Sequence, residues 1–467
     1  MECQNASDEW QRRGSLRAQS PPMSGPRLPG GRGMDIRAVG RALSMDGQSF
    51  FYLGDTAWSA FADARADEWS YYLDYRRRQG FNAVQVSLLP ILHDRSLNPD
   101  SDPAFDIDQV QEHSRWQFND RYFSRAARMV DEAAEQGMIC TLVVVWCSYV
   151  AGTWASARAP QSVMSNEVLA DYMARCQELL LRPNVVLVAS GDSGFVAPEE
   201  EPFYAELIEG MRKVNPRAVI GCHLQPRALL PAALDKLVDV LMYQSGHHFE
   251  EQSLGWRLAQ YYSSCPPPRP TIDMEPCYEG HALGGRKRRY RAEDVRRVVW
   301  QSVVAGATAG AGYAAHGVWS WHRTGSTFTN PQFSGEPADW REALSFEGAR
   351  DMAVCRGVME AERLVGTENV LRGLVTPVPV VQGVNTHREG EDDVMVATNG
   401  QQGAGGMAYL APGQEARLPV AASEISDIRA IDLRTRAPAE VSARGSAPRE
   451  TLVTAGPASG DVVIVWK

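Results

Sequence analysis

Cysteine is sparse in this chain, 8 residues among 467, and none of it falls in a C-x-x-C spacing. That excludes a disulfide-stapled scaffold, and a reduced, intracellular protein is expected. Long apolar runs are also missing. No stretch approaches the roughly 18 residues of a membrane span, and no apolar segment follows the charges of the N-terminus to act as a secretory signal. Cytoplasm is the expected compartment, with export by another route left open. Positive charge is in deficit, Lys+Arg 47 against Asp+Glu 57, which argues against nucleic acid because phosphate binding needs concentrated cations. The one basic run, Arg286-Lys287-Arg288-Arg289, reads as a solvated loop.

Several motifs are absent as well. No G-x-G-x-x-G follows the first apolar run, which weakens a dinucleotide enzyme. His223, His247, His248, His281, His316 and His322 form neither H-E-x-x-H nor H-x-H, so no metal is expected, and no G-x-S-x-G elbow is present. No cofactor is implied.

What the chain does have is a regular alternation. Residues 1–36, rich in Arg, Ser, Pro and Gly, cannot bury enough apolar surface to offset their ordering entropy and are expected to be a disordered leader. From Phe50 on, short apolar runs alternate with helical periods closed by glycines such as Gly80 and Gly137. The run 138–146 is apolar and β-branched on both faces, as in a parallel sheet covered by helices on both sides. Eight such strands, near 50–53, 82–87, 138–146, 185–190, 218–222, 240–244, 271–274 and 311–315, alternate with eight helices, the last expected over about 338–362. This specifies an α/β fold, a closed (β/α)8 barrel over 37–365. Beyond it the helical period gives way to short alternating runs, including Val375–Val381, which predict a small antiparallel β-sandwich over 369–467.

Barrel active sites form where strands end, so the residue after each strand is informative. Asp55, Ser87, Trp146, Asp192, His223, Gln244 to His248, Glu275 and His316 occupy those positions. Trp58, Trp146, Trp154, Tyr278, Trp319 and Trp321 add flat faces, on which sugar C–H faces pack while polar neighbours bond hydroxyls. Trp69, Trp256 and Trp300 sit at helical positions and read as core. Asp192 after the fourth strand and Glu275 after the seventh face one another across the mouth. About 5–5.5 Å apart, such a pair would serve as acid/base and nucleophile of a retaining glycosidase. Gln244, His247, His316 and Glu279 are expected to bond substrate or carboxylates. Asp273, two residues before Glu275, is expected to point into the barrel and support the site.

Six stretches, Leu53-Gly54-Asp55-Thr56-Ala57-Trp58, Arg78-Gln79-Gly80-Phe81-Asn82-Ala83-Val84-Gln85, Ser190-Gly191-Asp192, Gln244-Ser245-Gly246-His247, Glu275-Pro276-Cys277-Tyr278-Glu279 and His316-Gly317-Val318-Trp319-Ser320-Trp321, together resemble the apiosidase-like glycoside hydrolases of family 140. That family carries an appended module labelled collagen-binding. The resemblance covers residues 50 to about 325 and places the family's catalytic Asp and Glu on Asp192 and Glu275. It departs at Ser190, where the family has glycine, and at Asp432-Leu433-Arg434-Thr435, where Asp-Pro-Arg-Thr is usual. It implies cleavage of a glycosidic bond in a plant-type or bacterial saccharide, apiose being one candidate sugar. A carbohydrate-binding barrel without turnover and a metal-dependent hydrolase are the alternatives. A carbohydrate is the expected partner, with neither nucleic acid nor membrane; the oligomeric state is not readable.

Overall fold

The computed structural model describes residues 34–92, 103–110, 113–248, 251–282, 288–329, 331–372, 394–400, 405–456 and 459–467. Most of the expected leader, Arg286 and Lys287 of the basic run, and the expected strand Val375–Val381 lie outside the described residues.

Three short antiparallel strands come first, β1 (Ile36–Val39), β2 (Ala42–Met45) and β3 (Gln48–Phe50). The turn between the last two is Asp46-Gly47, both with positive φ (52° and 81°), the two-residue hairpin chemistry that Asp-Gly favours. The barrel then begins with β4 (Tyr52–Thr56) and β5 (Ala83–Ser87). A hairpin of β6 (Phe105–Val110) and β7 (His113–Phe118) interrupts it before β8 (Ile139–Trp146). The set continues with β9 (Val185–Gly191), β10 (Ile220–Gly221), β11 (Leu241–Gln244), β12 (Thr271–Glu275) and β13 (Gly310–Tyr313).

These eight parallel strands are ordered β10-β9-β8-β5-β4-β13-β12-β11, which is chain order wrapped round a cylinder. The seam between β10 and β11 is bridged by the N–H groups of Asp239 and Val240, which donate to Ile220 O at 2.8 and 3.3 Å. The chain is therefore a (β/α)8 barrel. Every residue of β8 and β9 is buried, as expected of strands with core on one face and helices on the other. The helix Asp120–Glu135 shows how the outer layer forms. Asn119 caps it by accepting from Arg121 N, and Tyr122, Phe123, Ala126, Met129, Val130 and Ala133 bury one stripe.

Three expected elements differ in extent. The strand over 218–222 contracts to β10, and the helix over 228–236 to Ala232–Asp235. The long last helix is broken into Trp340–Ala343 and Gly348–Ala361. Asp339 caps the first piece, and the N–H of Gly348 leaves the helical pattern to bond Glu279 at 2.9 Å.

The remaining strands are antiparallel: β14 (Asn369–Arg372), β15 (Val394–Asn399), β16 (Gly406–Leu410), β17 (Glu415–Leu418), β18 (Ile428–Asp432), β19 (Ala437–Pro438), β20 (Val441–Ala447), β21 (Glu450–Ala455) and β22 (Val462–Trp466). They make a six-stranded sheet, β14-β15-β16-β22-β18-β19, and a three-stranded one, β17-β21-β20. Strand periodicity sorts their side chains. Val462, Ile464 and Trp466 face the core shared with Leu418 and Val453, while Met407, Tyr409, Val463 and Val465 join the barrel's own core. One buried cation fixes the join. Arg296, on the helix Ala292–Ala305, donates two bonds to Asp461 (2.8 and 2.7 Å) and one to Asp351 (2.7 Å).

Candidate active site

Glu275 is the last residue of β12, and a register shift delivers its partners. Between Tyr243 and Gln244 the pairing with β12 slips, so that Gln244 lies opposite Glu275, and the N–H groups of Ser245 and Gly246 both donate to Glu275 O at 3.1 Å. A bulge of this kind re-aims side chains. Gln244 Nε2 now meets Glu275 Oε1 at 2.6 Å and His247 Nε2 meets it at 2.9 Å. On the other oxygen, His223 Nε2 stands 3.1 Å from Oε2. Burial pushes the pKa of Glu275 up, but hydrogen bonding and electrostatic attraction from His223 and His247 outweigh it and hold the group well below the usual carboxylate range.

Asp192 follows β9 in the left-handed region (φ 54°), a conformation Asp tolerates better than bulkier residues. Its N–H donates to His223 Nδ1 at 3.0 Å. Gly191 before it has no freedom to change, because a Cβ there would lie 2.3 Å from the Trp146 ring. Burial first, and then the charge of Glu275, push the Asp192 carboxyl up to about 7, against a smaller pull from His223. The two carboxyl groups thus sit in environments that separate them, one held well below the usual carboxylate range and one raised well above it.

Aromatic rings wall the cavity between them. Trp58 and Trp146 meet edge to face at 5.3 Å, and Trp58 Nε1 donates to Tyr278 OH at 2.9 Å. Trp154 Nε1 donates to Asp192 O at 3.3 Å. Trp319, Phe328 and Phe333 complete the apolar lining. Such faces accept the C–H surface of a sugar.

Of the expected residues, the structure brings Trp58, Trp146, Asp192, Gln244, His247, Glu275, Tyr278 and Trp319 into this cavity. Four others do not line it. Asp55 lies inside β4 rather than after it, so its side chain faces the helix layer, where Tyr72 OH (2.7 Å) and Arg76 Nε (2.8 Å) donate to it. Glu279 runs alongside the end of β13 and accepts from Tyr313 OH (2.6 Å) and Gly348 N (2.9 Å). His316 is buried behind the wall, accepting from Trp319 Nε1 at Nδ1 and donating from Nε2 to Gly335 O. Burial lowers its pKa to about 3.

Trp321 is core. The expectation that it would face the mouth with Trp319 assumed extended chain, but Trp321 N donates to Val318 O and its φ is 48°. The turn sends its ring onto Trp340, 4.7 Å away. Asp273 also departs from expectation. Its carboxylate accepts from Ser245 Oγ (2.8 Å) and from Ser302 Oγ (3.0 Å) in the helix layer.

Several lining residues were not singled out as substrate contacts in the sequence: Gln225, Pro226, His281, Phe328 and Phe333. Only His281 and Gln225 carried a local signal, each standing a few residues past a strand end. Among the described residues, no group of three or more His, Cys, Asp or Glu is arranged to hold a metal ion, and no helix is long and apolar enough to cross a membrane.

Comparison with known proteins agrees with this architecture. A family model described as apiosidase-like, catalytic domain, matches residues 38–365. No curated protein matches the chain by sequence. A solved structure described as a glycoside hydrolase superposes with a TM-score of 0.70 at 19% identity, over 93% of this chain and 97% of its own. A glycoside hydrolase family 5 structure from Bacteroides vulgatus ATCC 8482 does so with a TM-score of 0.70 at 19% identity, over 92% and 93%. At such identities the likeness establishes the fold.

Proposed function

Because this chain belongs to the apiosidase-like family and is a glycoside hydrolase, we propose that it works by double displacement with retention, Glu275 as nucleophile and Asp192 as acid/base. The observation that carries this reading is the separation of the two carboxyl environments. Glu275 is held well below the usual carboxylate range beside Gln244, His247 and His223, while Asp192 is pushed up to about 7. One group is ready to attack and the other to donate.

In the first step a Glu275 oxygen bonds the anomeric carbon as the glycosidic C–O bond breaks, and the Asp192 proton goes to the departing oxygen. The ester so formed carries no charge on Glu275. The repulsion that helped raise Asp192 is then relieved, and its carboxylate takes a proton from the water that attacks the anomeric carbon as the bond from that carbon to the Glu275 oxygen breaks and releases the Glu275 carboxylate. The substrate is a saccharide packed against Trp58, Trp146 and Trp319, with apiose and other pentosides the first sugars to test.

A panel of aryl glycosides supplies the test. Glu275→Ala should lower kcat by several orders of magnitude. Retention of more than about a tenth of wild-type kcat, roughly 1.4 kcal/mol in barrier, would sink the assignment. Asp192→Ala should still form the glycosyl ester from nitrophenyl glycosides, and azide should speed its breakdown. Proton NMR of the first product decides the stereochemistry, and inversion would refute the double displacement.

A further inference from the structure

We propose that His223 is a positioning residue that ties Asp192 and Glu275 into one unit, taking the backbone N–H of Asp192 at Nδ1 and setting Nε2 3.1 Å from the Glu275 carboxylate. The inference rests on the catalytic reading above and adds to it the group that sets the geometry of both partners. Its contacts are 3.0 Å to Asp192 N and 3.1 Å to Glu275 Oε2. An imidazole nitrogen that accepts from a peptide N–H carries no proton, so in the neutral ring the proton resides on Nε2, the atom that faces Glu275.

The ring is held where it is. Its side chain is fully buried and lies between Trp58 and Trp146, with ring centroids 5.4 and 6.0 Å away. Its backbone is fastened to the strand that carries Asp192. His223 N donates to Ser190 O at 3.2 Å, and Ser190 Oγ donates to His223 O at 2.9 Å. The Ser190 hydroxyl thus adds a second bond between the two segments. Just beyond, Gln225 N donates to Ser193 O at 2.9 Å. Asp192 is therefore held at its left-handed φ from both sides.

The ionisable groups whose charge or hydrogen bonding reaches Glu275 include Asp192 after β9, His223 after β10, His247 after β11, Asp273 within β12, and Tyr278 and His281 beyond it. His223 contacts both members of the catalytic pair. Removing the ring takes from Glu275 a nitrogen that stands 3.1 Å from its carboxylate, though off the line of a well-formed hydrogen bond, and frees the backbone N–H of Asp192.

The test begins with the wild-type protein. Nitrogen NMR of its labelled imidazoles should find the His223 ring bare at Nδ1 and protonated at Nε2. Protonation at Nδ1 would overturn the proposal without any variant. Carbon NMR of labelled glutamate carboxyls, with Glu275 assigned from Glu275→Gln, then follows its titration. His223→Leu should raise that midpoint by about one pH unit or more, a tenfold change in proton affinity, and His223→Gln, which restores an N–H donor, should return most of it. An unchanged midpoint in a folded His223→Leu protein refutes the idea. If that variant does not fold, the wild-type spectrum and His223→Gln decide, and a folded glutamine variant whose Glu275 midpoint rises by a pH unit or more would count against the role. None of these readings needs substrate. Absence of hydrolysis across the glycoside panel would thus defeat the catalytic reading separately. Where a substrate is found, the acid limb of kcat/KM should move with the Glu275 midpoint.

Discussion

Replacing the proposed acid with its amide should stabilise the protein, and only where the acid would be ionised. Asp192 titrates at about 7 in the folded chain against an ordinary value of 3.8. Between those two values the folded state keeps a proton that the unfolded chain has released, so stability is fully present below 3.8 and is lost as pH rises through 7. Roughly three units at 1.36 kcal/mol each set a ceiling of about 4 kcal/mol. Asp192 is half-buried and borders the cavity, where water screens it, so about 2 kcal/mol is the expected effect. Asparagine has no proton to lose and removes the repulsion with Glu275. Urea unfolding of wild type and Asp192→Asn at about pH 4 and pH 8 should give coincident midpoints at the first and a gain of about 2 kcal/mol for the variant at the second, with equal m values. Asp273 also titrates at about 7, but it is common to both proteins and cancels. Equal separation of the two curves at both pH values, or a variant that is weaker at pH 8, would refute the claim that Asp192 is strained by ionising. A stabilised, inactive variant is the outcome expected when function sets a group against the fold.

Three further outcomes follow from packing. Trp321→Ala removes a fully buried ring and should cost ~3–5 kcal/mol in unfolding free energy, whereas Trp319→Phe should chiefly raise KM, since it keeps an aromatic face and loses the bond to His316; a reversed pattern would move Trp321 to the site. Asp461→Ala leaves Arg296 buried with one partner fewer and should destabilise by ~3 kcal/mol, measured by thermal and urea melts, with little change expected if the join of barrel and sandwich is not fixed there. Gly191→Ala puts a methyl against the Trp146 ring and should cost ~1–3 kcal/mol together with kcat, because the ring or Asp192 must shift; normal kinetics would mean that the site absorbs the strain.

What could be read from the sequence depended on how local the deciding physics was. β8 and β9 announce themselves because a strand buried on both faces has no polar phase, and a polar residue after such a run has to emerge at the barrel mouth. That reasoning placed Asp192 and Glu275 in one cavity. It misplaced Asp55 because β4 extends to Thr56, and one residue of error in a strand end exchanges its two faces. Trp321 failed for a related reason, since a spacing of two means the same side only in extended chain. The Asp46-Gly47 turn is legible in the sequence, since Asp-Gly favours a two-residue hairpin with both φ positive.

The arrangement around His223 is of a different kind. The apolar run at 218–222 marks a strand but not what lies beside it, and the ring's two contacts are made to residues 31 and 52 positions away in sequence, brought together by the closing of the sheet. Local pattern predicts which residues reach the mouth, while the sheet's closure decides which of them touch. The protonation states that chemistry requires belong to the second class: Glu275 at a strand end carries an ordinary carboxylate in any reading of the sequence, and becomes a group held ionised only once β10 and β11 bring His223 and His247 against it. A variant that opens the seam, by removing the Asp239 side chain that accepts from Ile220 N at 2.9 Å, should therefore disturb catalysis from the far side of the barrel wall. Asp239→Ala is expected to lower kcat and shift the acid limb of the pH profile upward together; a loss of stability with an unchanged profile would show that the seam carries the fold but not the chemistry.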